Sequence, residues 1–101
     1  MEKIEDPEVF FYRIIERKEP SILVLGEKGE HWTDLVLRFL EQDQYLFYLF
    51  PWREIAELRL TLEVIHYPIV HLWKEGALIE ECVGYNVEAL KTLTRKYYRL
   101  S

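Results

Sequence analysis

Cysteine is nearly absent: Cys82 is the one cysteine in 101 residues. An internal disulfide, a Cys-x-x-Cys pair and a cysteine-rich metal site are therefore excluded, and a reducing, cytoplasmic setting is the default expectation. Long apolar runs are absent too. No stretch approaches the roughly 20 residues a membrane helix needs. The start, Met1-Glu2-Lys3-Ile4-Glu5-Asp6, is charged and does not read as a signal peptide. Positive charge is also short. Thirteen Lys and Arg face eighteen Asp and Glu, for a formal net charge of −5. That balance argues against nucleic acid, whose phosphates need a basic footprint. Glycine and proline number four each and fall at apparent element ends. There is no repeat, low-complexity tract or linker.

Apolar residues are plentiful, at 50% of the chain with 15% aromatic, so one domain spanning 1–101 with a real core is expected. The most informative stretch runs from Leu62 to Tyr85. Ile69-Val70-His71-Leu72-Trp73 and Ala77 to Val83 flank Lys74-Glu75-Gly76, the pattern of an antiparallel hairpin. Pro68 lacks an N–H and belongs at the start of the first strand.

The remaining elements follow in order. Asp6-Pro7-Glu8 opens a helix with Asp6 as N-cap, and Phe10 and Ile14, joined by Phe11 and Ile15, lie on its apolar stripe. Ser21 to Leu25 is continuously apolar and predicts a strand buried on both faces. Gly26 to Glu30 is a loop. Leu35, Val36, Phe39 and Leu40 mark a helix within 31–41, capped by Thr33 or Asp34. Gln44 to Phe50 is β-prone, Trp52 to Thr61 reads as a helix, and Asn86 caps a last helix with Val87, Leu90, Leu93, Thr94 and Tyr97 inward. Basic residues Lys91, Arg95, Lys96 and Arg99 lie toward its C-terminal end, where the helix dipole favours cations. The order α-β-α-β-α-β-β-α predicts an α/β fold: a mixed central sheet with helices on both faces.

Few side chains announce chemistry. Cys82 reads as a small buried hydrophobe. His71, inside a strand, reads as a hydrogen-bonded, partly buried imidazole. Glu80 and Glu81 read as a solvated acidic face. His31 and His66 match no metal-ligand spacing, so neither metal nor cofactor is expected. Trp32, Pro51-Trp52 and Tyr67 are aromatic groups of the kind enriched at protein interfaces.

The order of elements and the segment Tyr67-Pro68-Ile69, then Val70 to Gly76, then Cys82-Val83-Gly84, are similar to the thioredoxin-like family. The resemblance implies a three-layer sandwich and a cis bond between Tyr67 and Pro68. It also implies that the loop at Gly26–Trp32 meets the residues before Pro68. The family's Cys-x-x-Cys lies after the first central strand; here that region is Gly26-Glu27-Lys28-Gly29-Glu30-His31-Trp32, without cysteine. Thiol–disulfide exchange is then impossible at that site. The resemblance implies a non-enzymatic binding, assembly or chaperone-type module. Its groove would be formed by Glu30, His31, Trp32, His66, Tyr67, Pro68 and Ile69 and would take a protein or peptide partner. A homodimer subunit, or less readily an atypical thiol-related enzyme, are the other readings.

Overall fold

The computed structural model describes Glu2–Lys3, residues 7–42, Tyr45, residues 47–50 and residues 68–101. Its elements are β1 (Glu2–Lys3), α1 (Pro7–Phe10, continued as a π-helical turn over Phe11–Ile15), β2 (Ser21–Leu25), α2 (His31–Glu41), β3 (Phe47–Phe50), β4 (Ile69–Lys74), β5 (Ala77–Val83) and α3 (Val87–Leu100). The five strands form one sheet in the order β1-β3-β2-β4-β5. β1, β3 and β2 run parallel, and β4 and β5 are antiparallel to their neighbours. The expected cap at Asp6, the helix at Trp52–Thr61 and the Tyr67–Pro68 bond lie outside the described residues.

Strand alternation sorts the side chains between two faces. Ile22 and Val24 of β2, Phe47 and Leu49 of β3, Val70 and Leu72 of β4 and Cys82 of β5 form one cluster with Val36, Leu37 and Leu40 of α2 and Leu90, Leu93 and Tyr97 of α3. Both long helices therefore cover the same face. The opposite face carries Leu23, Leu25, Tyr48, Ile69 and His71, all buried. Helix α1 covers it. Ile14 is buried there, and Arg17 Nη1, just beyond the π turn, donates to the Tyr48 hydroxyl at 2.8 Å. Burial on both sides explains why β2 reads as an unbroken apolar run. Three layers result, with α2 and α3 above the sheet and α1 below.

The hairpin closes through Glu75 and Gly76, both at positive φ (51° and 80°). Such two-residue turns match the twist of the strands they join. Gly76 is required twice over: its φ disfavours a side chain, and a Cβ there would lie 3.2 Å from the Ile15 carbonyl oxygen. The Glu75 N–H donates to the Arg17 carbonyl at 3.1 Å, which ties the turn to the end of α1. Asn86 caps α3 as expected, its Oδ1 accepting from the Ala89 N–H at 3.1 Å.

Several expectations need correction. β1 was not anticipated; two residues are too short to show a period. β3 is shorter than Gln44–Phe50. Helix α2 begins at His31, with Glu30 rather than Thr33 or Asp34 in the cap position. Its buried stripe is Thr33, Val36, Leu37 and Leu40, while Leu35 and Phe39 are only half-buried. The stripe is rotated because Thr33 turns inward against Gly26. Val87 is also half-buried, whereas Leu90, Leu93, Thr94 and Tyr97 face inward. Glu80 and Glu81 are not simply a solvated pair: Glu80 is bonded to Lys96 of α3, and Glu81 Oε2 accepts from the His71 ring across the hairpin.

Candidate binding cleft at the ends of β2 and β4

Leu25 closes β2 and pairs with Ile69, the first residue of β4. That register sets the loop after β2 beside Pro68. The loop, residues 26–30, is built to turn sharply into α2. Gly29 takes a positive φ of 98°, which a glycine tolerates without cost. Its N–H donates to Asp34 Oδ1 at 2.8 Å, so the carboxylate in the first helical turn reaches back to fix the loop. The Glu30 N–H donates to the Glu27 carbonyl, and the Asp34 N–H to the Glu30 carbonyl at 2.9 Å, the first turn of the helix.

Gly26 and Thr33 fit each other closely. A Cβ on Gly26 would sit 2.6 Å from Thr33 Oγ1, a separation only glycine avoids. Thr33 is fully buried, and its hydroxyl has no hydrogen-bond partner among the described residues. Glu30 takes extended backbone angles and makes no side-chain cap, and its Oε1 is buried without a partner among the described residues. The segment Glu30-His31-Trp32-Thr33 thus carries a buried carboxylate oxygen and a buried hydroxyl, three residues apart, at the strand-to-helix junction. Between them His31 and Trp32 are exposed, their rings meeting edge to face at 5.0 Å.

On the other side Pro68 is buried, and its carbonyl accepts from the Gly84 N–H at 2.7 Å. Gly84, at φ 76°, leaves β5 in a conformation that favours glycine. Ile69 is 2% exposed and sits between Leu25 and Val83 in the sheet. Its side chain and both of its sheet neighbours are therefore already committed. His66 and Tyr67 lie outside the described residues. Of the expected set, Glu30, His31 and Trp32 lie at the loop-to-helix junction after β2, and Pro68 and Ile69 at the start of β4, at the same end of the sheet. The structure adds Gly26 and Thr33, which the sequence signalled only by a glycine directly after a buried strand.

The one thiol of the chain lies elsewhere. Cys82 faces the core on β5, among the residues beneath α3. Burial pushes its thiol up, partly offset by the Asn86 backbone N–H, with the Glu80 charge adding to the rise. A raised thiol is a poor nucleophile at neutral pH.

Comparison with known proteins addresses the architecture. No family model and no curated protein sequence matches the chain. Solved structures do. A thioredoxin from Plasmodium falciparum superposes with a TM-score of 0.78 at 20% identity, covering 96% of this chain and 99% of its own. The thioredoxin of Trypanosoma brucei brucei gives 0.77 at 14%, covering 96% and 89%. Mitochondrial thioredoxin 3 of Saccharomyces cerevisiae gives 0.73 at 17%, covering 95% and 94%. Fold and site together define a thioredoxin-like three-layer α/β sandwich that lacks a redox cysteine pair. At these identities the likeness establishes the fold, and the chain's own residues must carry the function.

Proposed function

We propose that this chain is a redox-inactive thioredoxin-fold domain that binds a protein segment, acting as a binding, assembly or chaperone-type module. The observation that carries the reading is the pairing of Leu25 with Ile69. It sets Gly26, the start of the 26–30 loop, beside Pro68, with Trp32 exposed in the first turn of the helix that follows and Cys82 buried in the core. A cleft of this kind holds an extended segment without transforming it. Glu30, His31 and Trp32 would contact the segment from one side, and the residues leading into Pro68 from the other, in the manner of strand addition. The setting proposed is cytoplasmic, in keeping with a single buried cysteine; among the described residues no helix is long and apolar enough to cross a membrane.

The redox half of this proposal is tested by the reduction of insulin disulfides by dithiothreitol. The protein is expected to leave the uncatalysed rate unchanged, as is its Cys82→Ser variant. Catalysis by the wild type that the variant lacks would contradict the proposal.

A homodimer subunit is the second reading, and one observation favours it. β5 is an edge strand with Leu78, Ile79 and Val83 exposed, and unpaired edges with apolar side chains invite pairing with another chain. Analytical ultracentrifugation decides: a monomer at the highest soluble concentration removes this reading.

A further inference from the structure

We propose that the outward face of α3 is a second docking surface, and that Lys91, Arg95, Tyr98 and Arg99 hold an extended acidic segment of a protein partner there. The first observation is a charge asymmetry. Four cations and one carboxylate give α3 a formal charge of +3 within a chain of −5, so the remaining residues carry −8. The helix dipole accounts for Arg99 alone, because its pull falls off within the last turn. Lys91 and Arg95 lie above that turn.

The second observation is what these side chains do. Lys96 is committed to Glu80, and Lys91 meets Glu88 at 3.8 Å with both side chains well exposed, a pairing worth little. Arg95 and Arg99 have no ion-pair partner among the described residues. Both are exposed, and Tyr98 lies beside them on the same stripe at 52% exposure. Its ring is braced by Tyr45 at 5.3 Å and by the buried Tyr97 at 5.8 Å. Arginine and tyrosine are the residue types that interfaces concentrate, and a ring already held in place loses little freedom on contact.

Spacing selects the occupant. Lys91, Arg95 and Arg99 recur every four residues, a rise of about 6 Å per step. Alternate residues of an extended strand share one face and lie about 6.7 Å apart. Carboxylates at every second position therefore meet successive cations, and each guanidinium can take its carboxylate through two N–H groups. A short acidic segment touches this stripe alone, whereas a nucleic acid extends its phosphates over the acidic remainder of the chain. The surface is also separate from the cleft: Lys74, at the other end of β4 from Ile69, donates to the Leu100 carbonyl at 2.9 Å, so α3 ends at the opposite end of the sheet.

The test is titration of the whole chain, followed by backbone amide NMR, with three capped heptapeptides and a heptameric oligothymidylate. The peptides are threonine throughout except for glutamate at three alternate positions, glutamine at the same positions, or three adjacent glutamates at the centre. The alternating glutamate peptide is expected to bind about tenfold more tightly than its glutamine counterpart, the scale of three exposed ion pairs. Its shifts should fall between Lys91 and Arg99, and the advantage should shrink as salt is added. Replacing Arg95→Gln and Arg99→Gln together should reduce it to about twofold; both positions are exposed, and glutamine suits a helix nearly as well as arginine. Equal binding of the glutamate and glutamine peptides would overturn the proposal, as would adjacent glutamates binding as tightly as alternating ones, shifts confined to residues outside α3, or tighter binding of the oligothymidylate. The wild-type series decides even if the double variant fails to fold, and none of these outcomes bears on the cleft.

Discussion

The two faces of the central sheet are built on different physics. The face under α2 and α3 is close to purely hydrocarbon, with Ile22, Val24, Leu49, Val70 and Leu72 meeting Val36, Leu40, Leu90 and Leu93, every one of them 1% exposed or less. The face under α1 mixes Leu23, Leu25 and Ile69 with polar groups. Arg17 bonds the Tyr48 hydroxyl, His71 bonds Glu81 at 2.9 Å, and the Ser21 hydroxyl is buried without a partner among the described residues. The apolar face contributes stability through area removed from water, which no titration touches. Hydrogen bonds on the other face return little net energy when made and cost more when half-broken. Stability should therefore reside mainly above the sheet and pH sensitivity mainly below it.

The largest effect should come from a cavity above the sheet. Leu72→Ala is expected to cost about 2–5 kcal/mol, read from urea unfolding, with the same loss at pH 5.5 and pH 7.5. A loss under 1 kcal/mol, or one that changes with pH, would break the contrast. Below the sheet, Tyr48→Phe removes one hydroxyl and leaves Arg17 without that acceptor. The expected cost is about 1 kcal/mol, again by urea unfolding; a cost matching the Leu72 variant would show the two faces to be energetically alike.

The smallest effect is the pH dependence of His71. Burial lowers its pKa below the usual imidazole value of 6.5, against the opposing pull of the Glu81 hydrogen bond and charge. The folded chain then prefers the neutral ring, whereas the unfolded chain takes up a proton near 6.5. Stability from this group is complete above that value and declines as the pH falls through it. Thermal melts of wild type and His71→Leu between pH 7.5 and 5.5 check this. The wild type should lose melting temperature more steeply on acidification than the variant. Parallel pH profiles would contradict the assignment.

Much of this architecture was legible in the residues, and the reasons differ by element. β2 and the hairpin stood out because continuous apolar runs and a turn glycine are local signals. Asn86 did so because capping is a matter of one side chain and the next turn. His71 read correctly as a bonded imidazole because a strand interior leaves a polar ring few options. The rotation of α2 was hidden because it depends on Gly26 and Thr33 fitting together across seven residues, a tertiary contact that hydrophobic spacing does not encode. The pairing of Glu80 with Lys96 and of Glu81 with His71 was hidden for the same reason: each joins separate elements. In the candidate cleft, Glu30, His31 and Trp32 were singled out through the family resemblance, and their part in binding remains the proposal. The buried, unpartnered oxygens of Glu30 and Thr33 emerged only with the geometry.

That a cleft between the loop at 26–30 and Pro68 holds an extended segment without chemistry is tested most directly by backbone amide NMR during titration with a capped heptapeptide of alternating threonine and valine. The account predicts saturable shifts concentrated at Glu27 through Thr33 and at Ile69, with the peptide recovered unaltered. Shifts confined to the β5 edge, to Leu78, Ile79 and Val83, would contradict it, as would a spectrum that does not change.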